Sequence, residues 1–452
     1  MVAPPNKWHQ YGFTRSPYST EAIKVSEDGA KLLVGRDNEL DTILSDLNSG
    51  AQVIALEGDY GVGKTSLAAV AAYEASTWRA DGGPLFLPVK AEVPLRLGTT
   101  ETPESFEKKV YMRIAGTLLL ASASLKAEGR HLEGLERLRR WLQSPEGGGW
   151  AAGIGASIPA FFGFNLNGSR TRTPNTSGGF SDTGVITLID SWLAELFPTP
   201  ECGGVICFID NLEELENVEN AVKVFEPLRD TLLRRPGLRW IVSGAEGMVR
   251  TAFSTPKMSG VFQEPISVLP LHPDLVPSVI SARAEILRQD DSSVLPVSAD
   301  AFEKVYLAIG KNLRFALGLA DKYAMRANPS HLRTTTAAKR DQAFDTYVLN
   351  ESNQVVGQLG KKIGTADWKT LGVLVREKAG SCSPGEYRDF GYTAMPPLLT
   401  RVKSLREAGL VRYTTDESDL RRRIITAENN GRLAYYSRLR SDEELHGVAA
   451  EV

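Results

Sequence analysis

The apolar positions along this chain fall into two rhythms, short continuous runs and longer stretches at helical spacing. Gln52–Glu57 (QVIALE) is a short apolar run that predicts a strand, followed by glycine-rich Gly58–Thr65 and an alanine-rich helix over Ser66–Ser76. Pro84–Val93 is a second strand candidate, and Phe106–Leu120 and Leu132–Leu142 carry apolar residues at helical spacing. After a further helix at Val185–Leu196 come Gly204–Ile209 (GVICFI) ending in Asp210, Leu238–Val242 (LRWIV) ending at Ser243, and short Ile266–Leu269. Strands alternating with helices predict a parallel α/β sheet. Leu275–Leu287 and Ala301–Met325 then read as helical with no strand between them.

Two stretches depart from that rhythm. Residues 144–184 are rich in Gly, Ser, Thr and Asn and read as a long insertion. They suit a hairpin around Ala156–Leu166 with Arg170 and Arg172 in its tip, either a surface loop or a loop that touches DNA or a neighbouring subunit. Residues 365–426 predict three short helices and two strands. Asp367–Lys378 places Trp368, Leu371, Leu374 and Val375 on one face, and Ser383-Pro384 opens a second helix with a capping serine and a proline at its first position. Met395–Ala408 carries Leu398, Leu399, Val402 and Leu405 at core spacing and stops at Gly409. Leu410–Thr414 and Arg422–Thr426 then pair around a polar tip, Thr415–Leu420. This is the pattern of a winged helix-turn-helix.

Composition narrows the class. Among 452 residues, 42% are hydrophobic and 24% charged, which excludes a disordered, collagen-like or coiled-coil chain. With 52 Lys and Arg against 55 Asp and Glu the net charge is −3, so any nucleic-acid surface must be local. The three cysteines, Cys202, Cys207 and Cys382, form no CxxC pair and no disulfide framework; Cys202 and Cys207 read as core residues. MVAPPNKWHQ has no apolar leader core, and Trp150–Phe164 is too short and too broken by glycine to span a bilayer. The expectation is a soluble, cytoplasmic protein without a membrane partner.

Gly58-Asp59-Tyr60-Gly61-Val62-Gly63-Lys64-Thr65 fits GxxxxGK[ST] between a strand and a helix, the context that a phosphate-binding loop requires. Backbone N–H groups wrap the phosphates, and the helix N-terminus adds a favourable partial charge. Lys64 is expected to reach the outer phosphates of ATP, and the Thr65 hydroxyl to hold Mg²⁺ with Asp210 as second ligand, Ser66 following in the loop helix. Asn211 follows Asp210 where many hydrolases carry glutamate, so Glu213 is the candidate base and hydrolysis is expected to be slow.

With these residues in place, the chain resembles the AAA+ ATPases, in the branch holding origin-recognition initiators and STAND signalling ATPases. Leu33-Val34-Gly35-Arg36-Asp37-Asn38-Glu39-Leu40 is similar to the family segment beside the adenine, 23 residues ahead of the phosphate loop. The resemblance implies that Val34, Gly35 and Arg36 contact nucleotide. It also implies that Ser243 takes the first sensor position and Arg314, in Gly310-Lys311-Asn312-Leu313-Arg314, the second. It further implies an arginine finger acting on a neighbouring subunit, for which Arg250 is preferred over Arg234 and Arg235.

The expected organisation is an arm (1–30), an AAA+ base (31–265, insertion 144–184), a helical lid and linker (266–350), the winged helix (351–440) and a tail (441–452). Residues 365–426 hold 11 Lys and Arg against 8 Asp and Glu. Thr400, Arg401, Lys403 and Ser404 are expected on the exposed face of the third helix, and Arg421, Arg422 and Arg423 on the wing, for duplex DNA. Two functions follow. One is a slowly hydrolysing, homo-oligomeric ATPase switch that binds DNA, with an initiator-, transposition- or defence-related role. The other is a STAND-type switch whose winged helix only packs, acting through a separate effector protein.

Overall fold

The computed structural model describes residues 6–89, 95, 101–142, 182–210, 212, 218–245, 247–253, 255–258, 260–261, 263–415 and 422–438. The chain forms two compact units, one of Ala22–Gly58 and Lys64–Val268, the other of Met1–Glu21, Asp59–Gly63 and Leu269–Val452.

The first unit is built on five parallel strands: β1 (Val53–Glu57), β2 (Leu85–Pro88), β3 (Gly203–Ile209), β4 (Leu238–Gly244) and β5 (Ile266–Ser267), in the order β2-β3-β4-β1-β5. Every residue of β1, β3 and β4 is buried, which is why these strands read as unbroken apolar runs rather than alternating ones. Helices Pro103–Ala127, Asp182–Leu196 and Val218–Leu228 supply the core, with Tyr111, Trp192 and Phe225 fully buried. The Trp192 indole N–H donates to the Glu133 carbonyl at 2.7 Å, so this buried polar group is satisfied. Cys207 lies inside the sheet as expected, with its thiol pushed up by burial. Cys202 does not: it sits in the turn before β3, half-exposed, and the Thr199 hydroxyl beside it holds its thiol below the usual range.

The second unit contains helices Val276–Leu287, Ala299–Ala308, Leu313–Arg326 and Ala337–Leu359, followed by the winged helix. Residues expected as an arm contribute to its core: Tyr11 and Tyr18 are fully buried, and their hydroxyls donate to Ala324 O at 2.9 Å and Val297 O at 2.6 Å. The stretch Ala301–Met325 is two helices, because Gly310 and Lys311 both take positive φ between them. A boundary at 350/351 falls inside the continuous helix Ala337–Leu359, and one at 265/266 would cut β5 from the sheet that it joins. In the winged helix, Thr365–Arg376 and Met395–Glu407 pack Trp368, Leu371, Leu374, Leu398, Val402 and Leu405 together. The second helix is a single 3-10 turn, Pro384–Glu386, although Ser383 caps it as the sequence suggests and Glu386 accepts the Ser383 N–H in return. Three strands, not two, form the wing sheet: β6 (Ser381–Cys382), β7 (Val411–Thr415) and β8 (Arg423–Ala427), in the order β6-β8-β7. Among the described residues no helix is long and apolar enough to cross a membrane.

Candidate nucleotide site

Parallel register assembles the site. Ile209 pairs with Val242 and Leu56 with Ser243, so Asp210 and Ser243 come abreast at the C-terminal edge of the sheet, where the phosphate loop leaves β1. Open α/β sheets bind ligands at that edge. The helix Lys64–Thr77 begins directly at the loop. Lys64 is only 6% exposed, and its ammonium donates to the Gly58 carbonyl at 2.8 Å. The Thr65 hydroxyl donates to Asp210 Oδ2 at 2.7 Å, and the Ser243 hydroxyl donates to Oδ1 of the same carboxylate. Asp210 is 7% exposed, so a buried charge is held between two hydroxyls.

Hard oxygen donors of this kind suit Mg²⁺, which takes one or two protein ligands and completes its shell with water and substrate phosphates. Among the described residues no group of three His, Cys, Asp or Glu side chains that could hold a metal ion is found. Ser66 faces elsewhere: its hydroxyl accepts from the Ile23 backbone N–H at 3.1 Å.

A residue the sequence reading passed over is Glu57, at the end of β1. It is 3% exposed and accepts the Arg250 backbone N–H at 2.7 Å, capping the first turn of Met248–Phe253. The available signal was a carboxylate closing an apolar strand just before Gly58.

No protein-family model and no curated protein matches the sequence. Among solved structures the chain is similar to the Aeropyrum pernix ORC1 protein in complex with DNA, with 14% identity and a TM-score of 0.41 over 90% of this chain and 93% of that one. It is also similar to the Aeropyrum pernix ORC2 protein in its ADPNP-ADP complexes, with 12% identity and a TM-score of 0.44 over 96% and 99% of the two chains. Cdc6p from Pyrobaculum aerophilum gives 13% identity and a TM-score of 0.39 over 95% and 98%. These superpositions are loose.

The remaining candidates divide. Arg36 precedes helix Asp37–Asn48, is buried, and pairs with Glu39 at 2.8 Å, while Val34 and Gly35 are half-buried. Of the three finger candidates, Arg235 donates to Asp190 at 2.9 Å alongside the Tyr111 hydroxyl, and Arg234 reaches the Gly260 carbonyl at 3.4 Å. Arg250 is exposed and pairs with exposed Glu264 at 3.3 Å. In the other unit, Arg314 lies over the ring of Tyr60 in the phosphate loop, and half-buried Arg432 threads between Gly310 and Gly380. Arg432 donates to the Ala379 carbonyl at 2.9 Å; burial lowers its pKa, and the charge of Asp59 opposes that shift. Asn211, Glu213, Arg421 and nearly all of 144–184 lie outside the described residues.

On the winged helix the expected DNA face is only partly exposed. Thr400 and Lys403 point outward, but Arg401 and Ser404 turn to Asp367, at 3.5 and 3.3 Å. The reason is electrostatic: Asp367 is buried at the start of Thr365–Arg376, and a buried carboxylate recruits the nearest cation. Arg422 and Arg423 are exposed, with Arg423 near the Tyr413 ring at 5.9 Å.

Proposed function

We propose that this chain is an ATP-binding, Mg²⁺-using ATPase of AAA+ type, working as a nucleotide-operated, oligomerising switch whose winged helix contacts duplex DNA. The observation that carries this reading is the Thr65–Asp210–Ser243 hydrogen-bond chain at the sheet edge beside a GxxxxGK[ST] loop. Lys64 exchanges the Gly58 carbonyl for phosphate oxygens, and the loop N–H groups hold the remaining phosphate charge. Thr65 and Asp210 would hold Mg²⁺, which when bound neutralises negative charge on the β- and γ-phosphates. Ser243 orients Asp210, and Arg314 reads the terminal phosphate. Arg250 is the exposed cation available to a neighbouring subunit's nucleotide. Glu213 is the base and Asn211 orients water without taking its proton, so turnover lies below the ~1–10³ s⁻¹ common among enzymes. Lys403, Arg422 and Arg423 are the phosphate contacts to DNA, and Arg421, the preceding residue in the sequence, is a further candidate.

Titrating a fluorescent ATP analogue into wild type and Lys64→Ala tests the site. Wild type binds and the variant loses binding while keeping its melting curve. Equal affinity in the two proteins would place the nucleotide elsewhere.

The second reading, a signalling switch whose winged helix packs against its own nucleotide loop, is favoured by Arg432. This residue follows the wing and its guanidinium fills the space beside Gly310, two residues before Asn312, which caps the helix carrying Arg314. On that reading Arg432→Ala accelerates ADP exchange and duplex DNA does not bind.

A further inference from the structure

Three contacts converge on the tip of the phosphate loop. The Arg314 guanidinium carbon lies 4.8 Å from the centroid of the Tyr60 ring. Asn312, which caps the helix carrying Arg314, donates its side-chain amide to the Tyr60 carbonyl at 3.1 Å and accepts from the Phe315 N–H at 3.0 Å. Gly61 turns away at φ +86, and a Cβ there would meet Asn312 Oδ1 at 2.8 Å and Arg314 Cβ at 3.1 Å. Loop and helix start therefore approach as closely as a glycine permits.

Phosphate binding asks only backbone N–H groups of the position that Tyr60 occupies. Tyr60 is 57% exposed, so burial does not account for an aromatic residue there. What the ring does have is the guanidinium. Arginine stacks on aromatic faces and also binds phosphate through two parallel hydrogen bonds in its own plane, so a phosphate out of reach of the stacked position draws it off the ring. A phosphate dianion is the stronger partner.

We propose that Tyr60 is a positioning residue for Arg314. The ring holds the guanidinium beside the loop until a triphosphate arrives and then yields it to the terminal phosphate. A diphosphate, lacking that group, leaves Arg314 on the ring. Tyr60 thereby sets how strongly the site distinguishes ATP from ADP. This deepens the nucleotide reading above and rests on it.

The experiment is a double-mutant cycle on the full chain, reading Kd for ATPγS and ADP in wild type, Tyr60→Ala, Tyr60→Phe, Arg314→Ala and the Tyr60→Ala/Arg314→Ala pair. Tyr60→Ala frees the guanidinium and tightens ATPγS by about two- to fivefold, the size of one exposed cation–π contact, with a smaller change for ADP. Tyr60→Phe, which keeps the ring, restores the wild-type ratio of the two affinities. In the Arg314→Ala background the gain disappears. A gain of equal size without Arg314, or weaker ATPγS binding by Tyr60→Ala, overturns the proposal and gives the ring a direct contact with nucleotide instead. Wild type that binds neither nucleotide overturns the nucleotide reading as well, whereas wild-type binding with no coupling between the two positions overturns this proposal alone.

Discussion

Asp210 is a buried carboxylate with a hydroxyl on each oxygen, and each hydroxyl comes from a different strand or helix. Removing one leaves part of a buried charge unsatisfied, which costs more than the bond's net worth. Ser243→Ala is therefore expected to lower stability by about 1.5–3 kcal/mol, read from urea unfolding, and to weaken Mg²⁺-dependent nucleotide binding together with it. A second residue-scale expectation concerns acid. The Lys378 ammonium, donating at 2.8 Å, and then the Ser383 N–H hold the Glu386 carboxyl below its usual range. A depressed carboxyl contributes stability above the unfolded glutamate value of about 4.3 and loses it as pH falls through the lower folded value. The winged helix should thus lose melting temperature below about pH 4, and Glu386→Gln should flatten that acid limb. Lys64 and Thr65 could be named as candidates from the sequence because the loop's chemistry fixes residue types at fixed spacing, and Asp210 because it closes the apolar run of β3. Glu57 and Arg432 were not, since each acts on a partner far along the chain, Arg250 and Ala379 respectively.

At the scale of elements, the wing and its third helix decide the DNA question. Lys403, Arg422 and Arg423 make three candidate phosphate contacts, so log Kd against log salt should have a slope magnitude of about 2.7 on duplex DNA. The Arg422→Ala/Arg423→Ala pair should reduce it by about 1.8 and weaken all sequences alike. Arg401→Ala should leave the slope nearly unchanged, because its guanidinium is engaged with Asp367. Anisotropy titrations measure all three proteins, and no binding at about 50 mM salt would favour the packing reading. Gly310 marks another junction, at φ +81 with the Arg432 guanidinium where a Cβ would stand. Gly310→Ala should cost about 1–3 kcal/mol in unfolding free energy. Periodicity revealed the first and third helices of the winged helix but not the helix Ala337–Leu359. The 3-10 turn at Pro384–Glu386 carries the capping signals of a full helix, and the helix Ala337–Leu359 runs through the expected domain boundary because Phe344, Val348 and Leu359 all find cores to enter.

For the whole molecule, the parallel sheet was legible because continuous apolar runs of strand length have few alternative uses. The contribution of residues 7–18 was not, since Trp8 and Tyr11 lie in a helix of only five residues, Lys7–Tyr11, and Phe13 and Tyr18 follow in irregular backbone, too short a stretch for a period to show. Trp192 shows how much rests on the sheet unit's core: Trp192→Ala should destabilise it by about 3–5 kcal/mol, measured by denaturant midpoint. On the proposed reading, Thr65 and Asp210, joined by a hydrogen bond at the sheet edge, make this a metal-dependent nucleotide site. Calorimetric titration of ATP into wild type and Asp210→Asn, each with Mg²⁺ and with EDTA, tests it most directly. Wild type should bind at least about tenfold more tightly with Mg²⁺, a difference of about 1.4 kcal/mol, and Asp210→Asn should lose most of that gain while keeping its metal-free affinity. An identical Mg²⁺ dependence in the two proteins would contradict the account.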